Sequence, residues 1–441
     1  MKRVILIIMY MCPLLLCGQN TLSALENMHT VAKGQTWESV AADYAVSVAE
    51  LQAANPDITR RKLKKGTLLI IPRKPQPAET IEVVVPQPAP VIRTAMPHLK
   101  VGVLLPFSQD KARMVEFYRG LLMAADSVRK GGTDLDIYAW DGGIASSKIE
   151  QMQSEFKGLD ILFGPTEAMQ VPAVAEICRE QGIRLVLPFA NGQVLQDYPL
   201  VYNATATNAV VFEEAVKKMG AVFPGGNFIV VNTGSQDNQG KALCETLAQS
   251  VAKHGTTLGR IDLEGDAAAY ESAFSQTRGN VVVLDNAGTR SLNIMLARLK
   301  DFRRQHPDCR ISLIGFPEWQ ETTQMLLKDF FAFDTYIVSP YYYNVLDEST
   351  KRFQRAYEDA FHTPIAQNYP RYAALGFDLG FYFMSGLSRQ GDTFEQMQGS
   401  LVQNPYQNRF SFERLPSGMS FTNRFVQFIH FTPEEKIEII R

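Results

Sequence analysis

Clustered histidines, patterned cysteines and long apolar runs are scarce in this 441-residue chain, and each shortage removes a class of function. Five cysteines (Cys12, Cys17, Cys178, Cys244 and Cys309) lie too far apart for a disulfide framework or a metal-ligand set. The six histidines never reach paired i, i+4 spacing or an H-E-x-x-H arrangement. A net charge of −2 leaves no footprint for nucleic acid. The only long apolar stretch, Val4 to Leu16, is too short to span a bilayer comfortably and follows Lys2-Arg3. Residues 1–19 therefore read as an export signal. Cys17 invites a lipidation reading, but the large Leu16 precedes it, so ordinary cleavage near Gly18 to Asn20 is expected.

Signatures of catalysis are equally thin. Gly234 to Lys241 imitates a phosphate-cradling loop, yet five residues separate its glycines instead of four. Ala242 stands where a hydroxyl would hold Mg²⁺. The chain has no G-x-G-x-x-G and no G-x-S-x-G elbow. A non-catalytic protein without cofactor or metal is expected.

What is present is informative. A β run at His29 to Ala32 meets a turn at Lys33-Gly34-Gln35, and Thr36 stands as an N-cap before Val40, Ala41 and Tyr44. Ser47 caps a second helix carrying Val48, Leu51 and Ala54, which ends at Asn55-Pro56. Gly66 then turns the chain into Leu68 to Ile71. This predicts a cysteine-free βααβ unit near the lower size limit for a single core. Residues 29–74 carry eight Lys or Arg against four acids, a balance that suits weak attraction to an anionic polymer and equally a solvated basic loop at Arg60 to Lys65.

In its ordered series (HTV-x-KG-x-T, S-V-A, V-S-V-x-x-L-x-x-A-N-P, L-K-K-G-x-x-L-x-I-P) this stretch resembles a LysM domain, placed at 28–73. The resemblance implies binding to the N-acetylglucosamine-containing glycan of peptidoglycan or chitin. It places the groove at Gly34, Gln35 and Thr36 opposite Asn55, Pro56, Asp57 and Ile58. Trp37, at the usual leucine position, is expected to fill the core before it serves as a sugar platform.

Residues 73–98 contain six prolines and no helical or hairpin pattern, so 74–98 is a semi-stiff spacer. Beyond it, short apolar strands alternate with helices. The alternation predicts an α/β architecture of parallel sheets covered on both faces. Two lobes fit the length better than one sheet: lobe 1 at about 99–205 and 347–441, lobe 2 at about 206–345. The aromatic segment from Tyr406, with Phe410, Phe412, Phe421, Phe425 and Phe428, is expected to complete the first lobe.

The motifs VGVLLPFS (101–108), FYRGLLMAAD (117–126), FGPTEAMQVPAVAEIC (163–178), IRLVLPFAN (183–191), LIGFPEW (313–319) and YPRYAALGFD (369–378) follow in order. Together they resemble a type I periplasmic binding protein, the two-lobed family that includes branched-chain amino acid receptors. In an open parallel sheet, ligands bind outside the carboxyl ends of the strands. The candidate cleft residues are accordingly Phe107, Ser108, Thr166, Glu167, Phe189, Ala190, Asn191, Asn232, Asp237, Asp285, Asn286 and Glu318. Tyr341 and Tyr342 join them near the second crossover. Glu167 stands where the family usually has a hydroxyl, which argues against a free amino acid as ligand.

The expected function is an exported, wall-associated peptidoglycan-binding protein in the periplasm that carries a receptor-like body. The alternative is an envelope scaffold, or regulator of peptidoglycan synthesis, whose clamshell holds no small ligand. The partners follow: peptidoglycan glycan, a small molecule or peptide in the cleft, and an envelope protein in the scaffold case.

Overall fold

The computed structural model describes residues 28–55, 58, 63–71, 95–189, 195, 198–236, 238–253, 258–414 and 420–441. The signal segment, most of the spacer, Pro56, Asp57, Ala190, Asn191 and Asp237 lie outside the described residues. The chain divides into two compact units, Met1–Val91 and Ile92–Arg441.

The first unit is built as its sequence predicts. Strand β1 (Met28–Thr30) pairs antiparallel with β2 (Leu68–Ile70), and two short helices lie between them, α1 (Trp37–Asp43) and α2 (Val48–Ala53). Each helix is opened by a reciprocal capping box. The Thr36 hydroxyl accepts from Ser39 N–H while Ser39 Oγ accepts from Thr36 N–H; Ser47 and Glu50 repeat the exchange. Gly34 (φ 92°) and Gly66 (φ 88°) make the turns, in the left-handed region where a side chain would strain the backbone. Trp37, Val40, Ala41, Leu51 and Leu69 form the core with Val31 and Ile71. Trp37 is 3% exposed, so it fills this core.

The second unit has two seven-stranded sheets. The first holds β3 (His98–Leu105), β4 (Asp134–Asp141), β5 (Ile161–Phe163), β6 (Arg184–Leu187) and β7 (Val201–Asn203), all parallel. The second holds β8 (Asn227–Asn232), β9 (Gly259–Asp262), β10 (Asn280–Leu284), β11 (Ile311–Gly315) and β12 (Thr335–Ser339), likewise parallel. On one face of the first sheet, α3 (Lys111–Lys130) packs against α11 (Tyr372–Gln390); α4 (Val171–Gln181) covers the other. The α3–α11 approach is close because Gly120 and Gly376 bring backbones together. A Cβ on either would sit 2.1 Å from a carbonyl oxygen of the other helix. Helices α5 (Asn208–Val222), α6 (Asn238–Lys253), α7 (Ala267–Ala273), α8 (Thr289–Gln305) and α9 (Thr323–Ala332) surround the second sheet. Between the sheets in sequence, α10 (Glu348–Phe361) packs with α11 in the first lobe, and the short α12 (Phe394–Met397) follows.

Two expectations are corrected. The aromatic C-terminal segment does not all belong to the first lobe. Strands β13 (Phe412–Arg414) and β14 (Phe421–Asn423) complete the first sheet, whereas β15 (Gln427–Phe431) and β16 (Ile437–Ile440) pair antiparallel onto β12 in the second. Lobe 1 therefore ends near Asn423, and the chain crosses a third time through Arg424-Phe425-Val426. The cause is burial. Phe421 stacks on Tyr202 at 4.6 Å in lobe 1, while Phe428 and Phe431 pack against Tyr336 and Phe330 in lobe 2. Identical residue types thus serve different cores. Between β4 and β5, where the alternation of strand and helix predicts a helix, the chain instead makes two short 3₁₀ turns, Ser146–Lys148 and Glu150–Met152. Ile149, Met152 and Phe156 are buried either way, so their spacing did not discriminate.

Candidate functional site

In the first unit, the candidate groove residues divide by role. Gln35 Oε1 accepts from Ala32 N–H (2.8 Å) and lies 2.9 Å from His29 Nε2; His29 Nδ1 lies 3.0 Å from the Tyr44 hydroxyl. The Gln35 amide nitrogen donates to Asp43 (3.3 Å). The side chain is thus held by its own fold, the Gln35 N–H donates to Ala32 O (3.3 Å), and Gly34 is exposed. Thr36 is occupied in capping α1. Asn55 is buried: its amide donates to Leu51 O and Ile70 O (2.8 Å each) and accepts from Ile70 N–H (2.7 Å). It pins the end of α2 to β2, which leaves its side chain no capacity for sugar. Ile58 packs in the same apolar cluster as Trp37, so the β1–α1 turn and the segment after α2 share one core.

In the second unit, the strand-end residues form two polar latches and one aromatic wall. At the end of β3, Ser108 N–H and Gly143 N–H both donate to Asp141 Oδ1 (3.3 and 2.9 Å). These donors hold the Asp141 carboxyl below the usual range, the Gly143 N–H first. Beside them Phe107 meets Tyr118 edge-on at 5.6 Å. Phe189 packs against Phe117 (5.3 Å) and Tyr372 (5.9 Å). The Arg113 guanidinium stands over both Phe189 and Tyr372, 6.0 and 5.6 Å from their ring centres, and pairs with Asp110. A hydrogen bond to Tyr372 raises the Arg113 pKa further, with burial opposing it. Thr166 is half-buried and Glu167 exposed.

On the second lobe Asn232 donates to Asp262 (2.7 Å). Buried Asp285 accepts from Thr233 N–H and Oγ1–H (2.9 and 2.6 Å). Asn286 donates to Ser235 Oγ (2.9 Å) and accepts from Gly288 N–H. Asn232 and Asp285 also line a hollow of about 440 Å³ with Lys241, Glu245 and Arg260, at the β8–β9 edge of the sheet. Glu318 is exposed. Tyr341 and Tyr342 lie half-buried in the second crossover. Burial raises the Tyr341 hydroxyl pKa first; the charges of Glu318 and Glu321 on lobe 2 and the Tyr372 and Tyr369 hydroxyls beside lobe 1 add to it.

Residues absent from the sequence-level site anchor that crossover. Tyr341 bridges to Asn408, and Tyr342 N–H donates to Gln407 O (3.1 Å). The Asp378 carboxyl, buried on α11, accepts from the backbone N–H groups of Tyr406, Gln407 and Asn408 (2.8, 2.8 and 2.7 Å). Gln407 in turn accepts from Arg371 N–H (2.8 Å). Arg113, Tyr372 and Asp378 were missed because their roles depend on helix packing; the Asp110–Arg113 i, i+3 spacing was the one local signal.

Among the described residues, no group of three His, Cys, Asp or Glu side chains is placed to hold a metal ion. Nor is any described helix long and apolar enough to cross a membrane.

Residues 29–72 match the family model of the LysM domain. No curated protein sequence matches the chain. Among solved structures, the chain is similar to a protein provisionally described as a branched-chain amino acid ABC transporter from Rhodospirillum rubrum. That likeness has 15% identity, covers 78% of this chain and all of the other, and gives a TM-score of 0.54. It is also similar, at 16% identity, the same coverage and a TM-score of 0.45, to an ABC transporter substrate-binding protein from Desulfitobacterium hafniense in complex with Leu. Residues 29–72 are a LysM domain, and the chain that follows has the two-lobed fold of type I periplasmic binding proteins.

Proposed function

We propose that this is a non-catalytic envelope protein, exported and wall-associated. Its LysM module holds the N-acetylglucosamine glycan of peptidoglycan, and its two-lobed body works as a solute receptor. The observation that carries the anchoring half is the module itself: a matched family sequence on a capped, packed βααβ core. The exposed turn at Gly34 supports the groove that the LysM resemblance implies, one that reads acetamido groups by backbone hydrogen bonds. The module at residues 29–72 makes one contact, and oligomers would gain avidity by adding others. Sedimentation of the full chain with insoluble peptidoglycan tests this. Pelleting at low salt that weakens as salt rises is expected, and no pelleting at low salt overturns the anchoring.

For the body, the two-lobed fold, with Tyr341 and Tyr342 in a crossover pinned to Asn408 and Gln407, supports closure on a ligand by hinge motion about the crossovers. A second reading, an interaction scaffold whose lobes no longer open on a small ligand, is favoured by a specific observation. Asn232, Asp285 and Asn286 are engaged within their own lobe, Phe107 packs on Tyr118, and Phe189, Arg113 and Tyr372 pack on one another. A thermal-shift screen of the full chain against metabolites and wall fragments separates the two. A saturable rise in the body's Tm supports the receptor; a flat screen favours the scaffold.

A further inference from the structure

The second lobe carries a groove unrelated to the strand ends that face the cleft. It lies between α5 and α6, and its volume is about 740 Å³, within the range of small-molecule sites. Two helical stripes make its walls. Glu213, Val216, Lys217 and Gly220 recur at i, i+3, i+4, i+7 on α5, and Thr246, Gln249, Ser250 and Lys253 do so on α6. Phe223, Phe228, Leu247 and Val251 form an apolar floor. On the α5 wall the groove is widened by a position without a side chain. A Cβ on Gly220 would meet no atom within 4 Å, so the space above it is open.

The acids near the rim gather on one cation: Arg424 pairs with Glu213 (3.1 Å), Glu214 (2.7 Å) and Glu413 (3.5 Å). The nearest carboxylate to Lys217 is Glu214 at 3.9 Å, itself held by Arg424 at 2.7 Å. Lys253 has no ion pair among the described residues. One lysine on each wall above an apolar floor complements a ligand with an anionic head and a hydrocarbon body. We propose that this groove binds a free single-chain carboxylate amphiphile of the fatty-acid type, seated on the Phe228–Leu247 floor with its carboxylate between Lys217 and Lys253. Occupancy would tie α5 to α6 in the lobe that the first crossover enters.

The test uses the full chain, titrated with the fluorescent polyene fatty acid cis-parinaric acid and, separately, its methyl ester, at low ionic strength. Saturable one-to-one binding of the acid is expected, with the ester about tenfold weaker. Gly220→Leu fills the open space without strain and adds helix propensity, so its Tm should be unchanged or raised while acid binding is lost. Lys217→Glu with Lys253→Glu should weaken the acid about tenfold and leave the ester unchanged. The proposal is overturned if the acid gives no saturable signal, or if folded Gly220→Leu binds it as the parent does. Equal binding of acid and ester by the parent chain overturns the anionic class.

Discussion

Asp378 shows how one residue governs a larger element. Burial pushes its carboxyl up to about 7, against the pull of three backbone N–H donors. Between the ordinary carboxylate range and about pH 7, the folded protein keeps a proton that the unfolded chain gives up. Unfolding free energy therefore falls as pH rises through that window. Asp378→Asn cannot titrate, and its amide NH₂ faces a backbone N–H, which costs about 1–3 kcal/mol. Urea unfolding at several pH values should show the variant less stable near pH 5, with the gap narrowing towards pH 8. A gap that stays constant instead would mean the carboxylate is ionised throughout. Trp37 supplies a second case. Trp37→Ala should remove about 3–5 kcal/mol from a core too small to absorb it, so the module unfolds and peptidoglycan pelleting disappears. Hydrogen exchange over 37–53 checks this: a folded module that no longer binds would make Trp37 a sugar platform. Trp37 and Thr36 were legible in the sequence because caps and small cores are local. Asn55 was read as a groove residue, but its amide is committed to Leu51 and Ile70, fifteen positions apart from it in the latter case, and no local pattern reports that.

At the scale of elements, the short helices of the first unit depend on their ends. Six and seven residues are too few for a helix to persist alone, so the capping boxes at Thr36 and Ser47 carry a large share of local order. Ser47→Ala should cost about 1 kcal/mol and speed amide exchange in α2 about fivefold, read by mass spectrometry of the peptide over 47–55. Parallel strands read clearly as short apolar runs, since they are buried on both faces. The segment at 146–156 read poorly, because three buried apolar residues at spacings of three and four suit a helix and a pair of 3₁₀ turns alike.

For the whole molecule, the consequential feature is the third crossover at Arg424 to Val426. It makes the second sheet depend on residues near the C-terminus. Phe428, Ile429 and Phe431 are each at most 1% exposed in that lobe, and each contributes about 1.5–3 kcal/mol of burial. A chain ending at Phe425 should fail to complete lobe 2 and expose the β12 edge. Rapid hydrogen exchange across β10–β12 and binding of the dye ANS would report it, with β3–β7 still protected. Retained protection in lobe 2 would place the stabilising contacts elsewhere.

The sequence by itself determined the module, its caps and turns, and the alternation that makes two parallel sheets. These follow from neighbours within a few residues of each other, whose conformational preferences and periodicity act locally. Only the tertiary structure decided which lobe each C-terminal phenylalanine enters, that Asp378 fastens the second crossover, and that a groove opens beside Gly220. Those outcomes rest on burial and hydrogen bonding between segments far apart in the chain, and such pairings have no period to read.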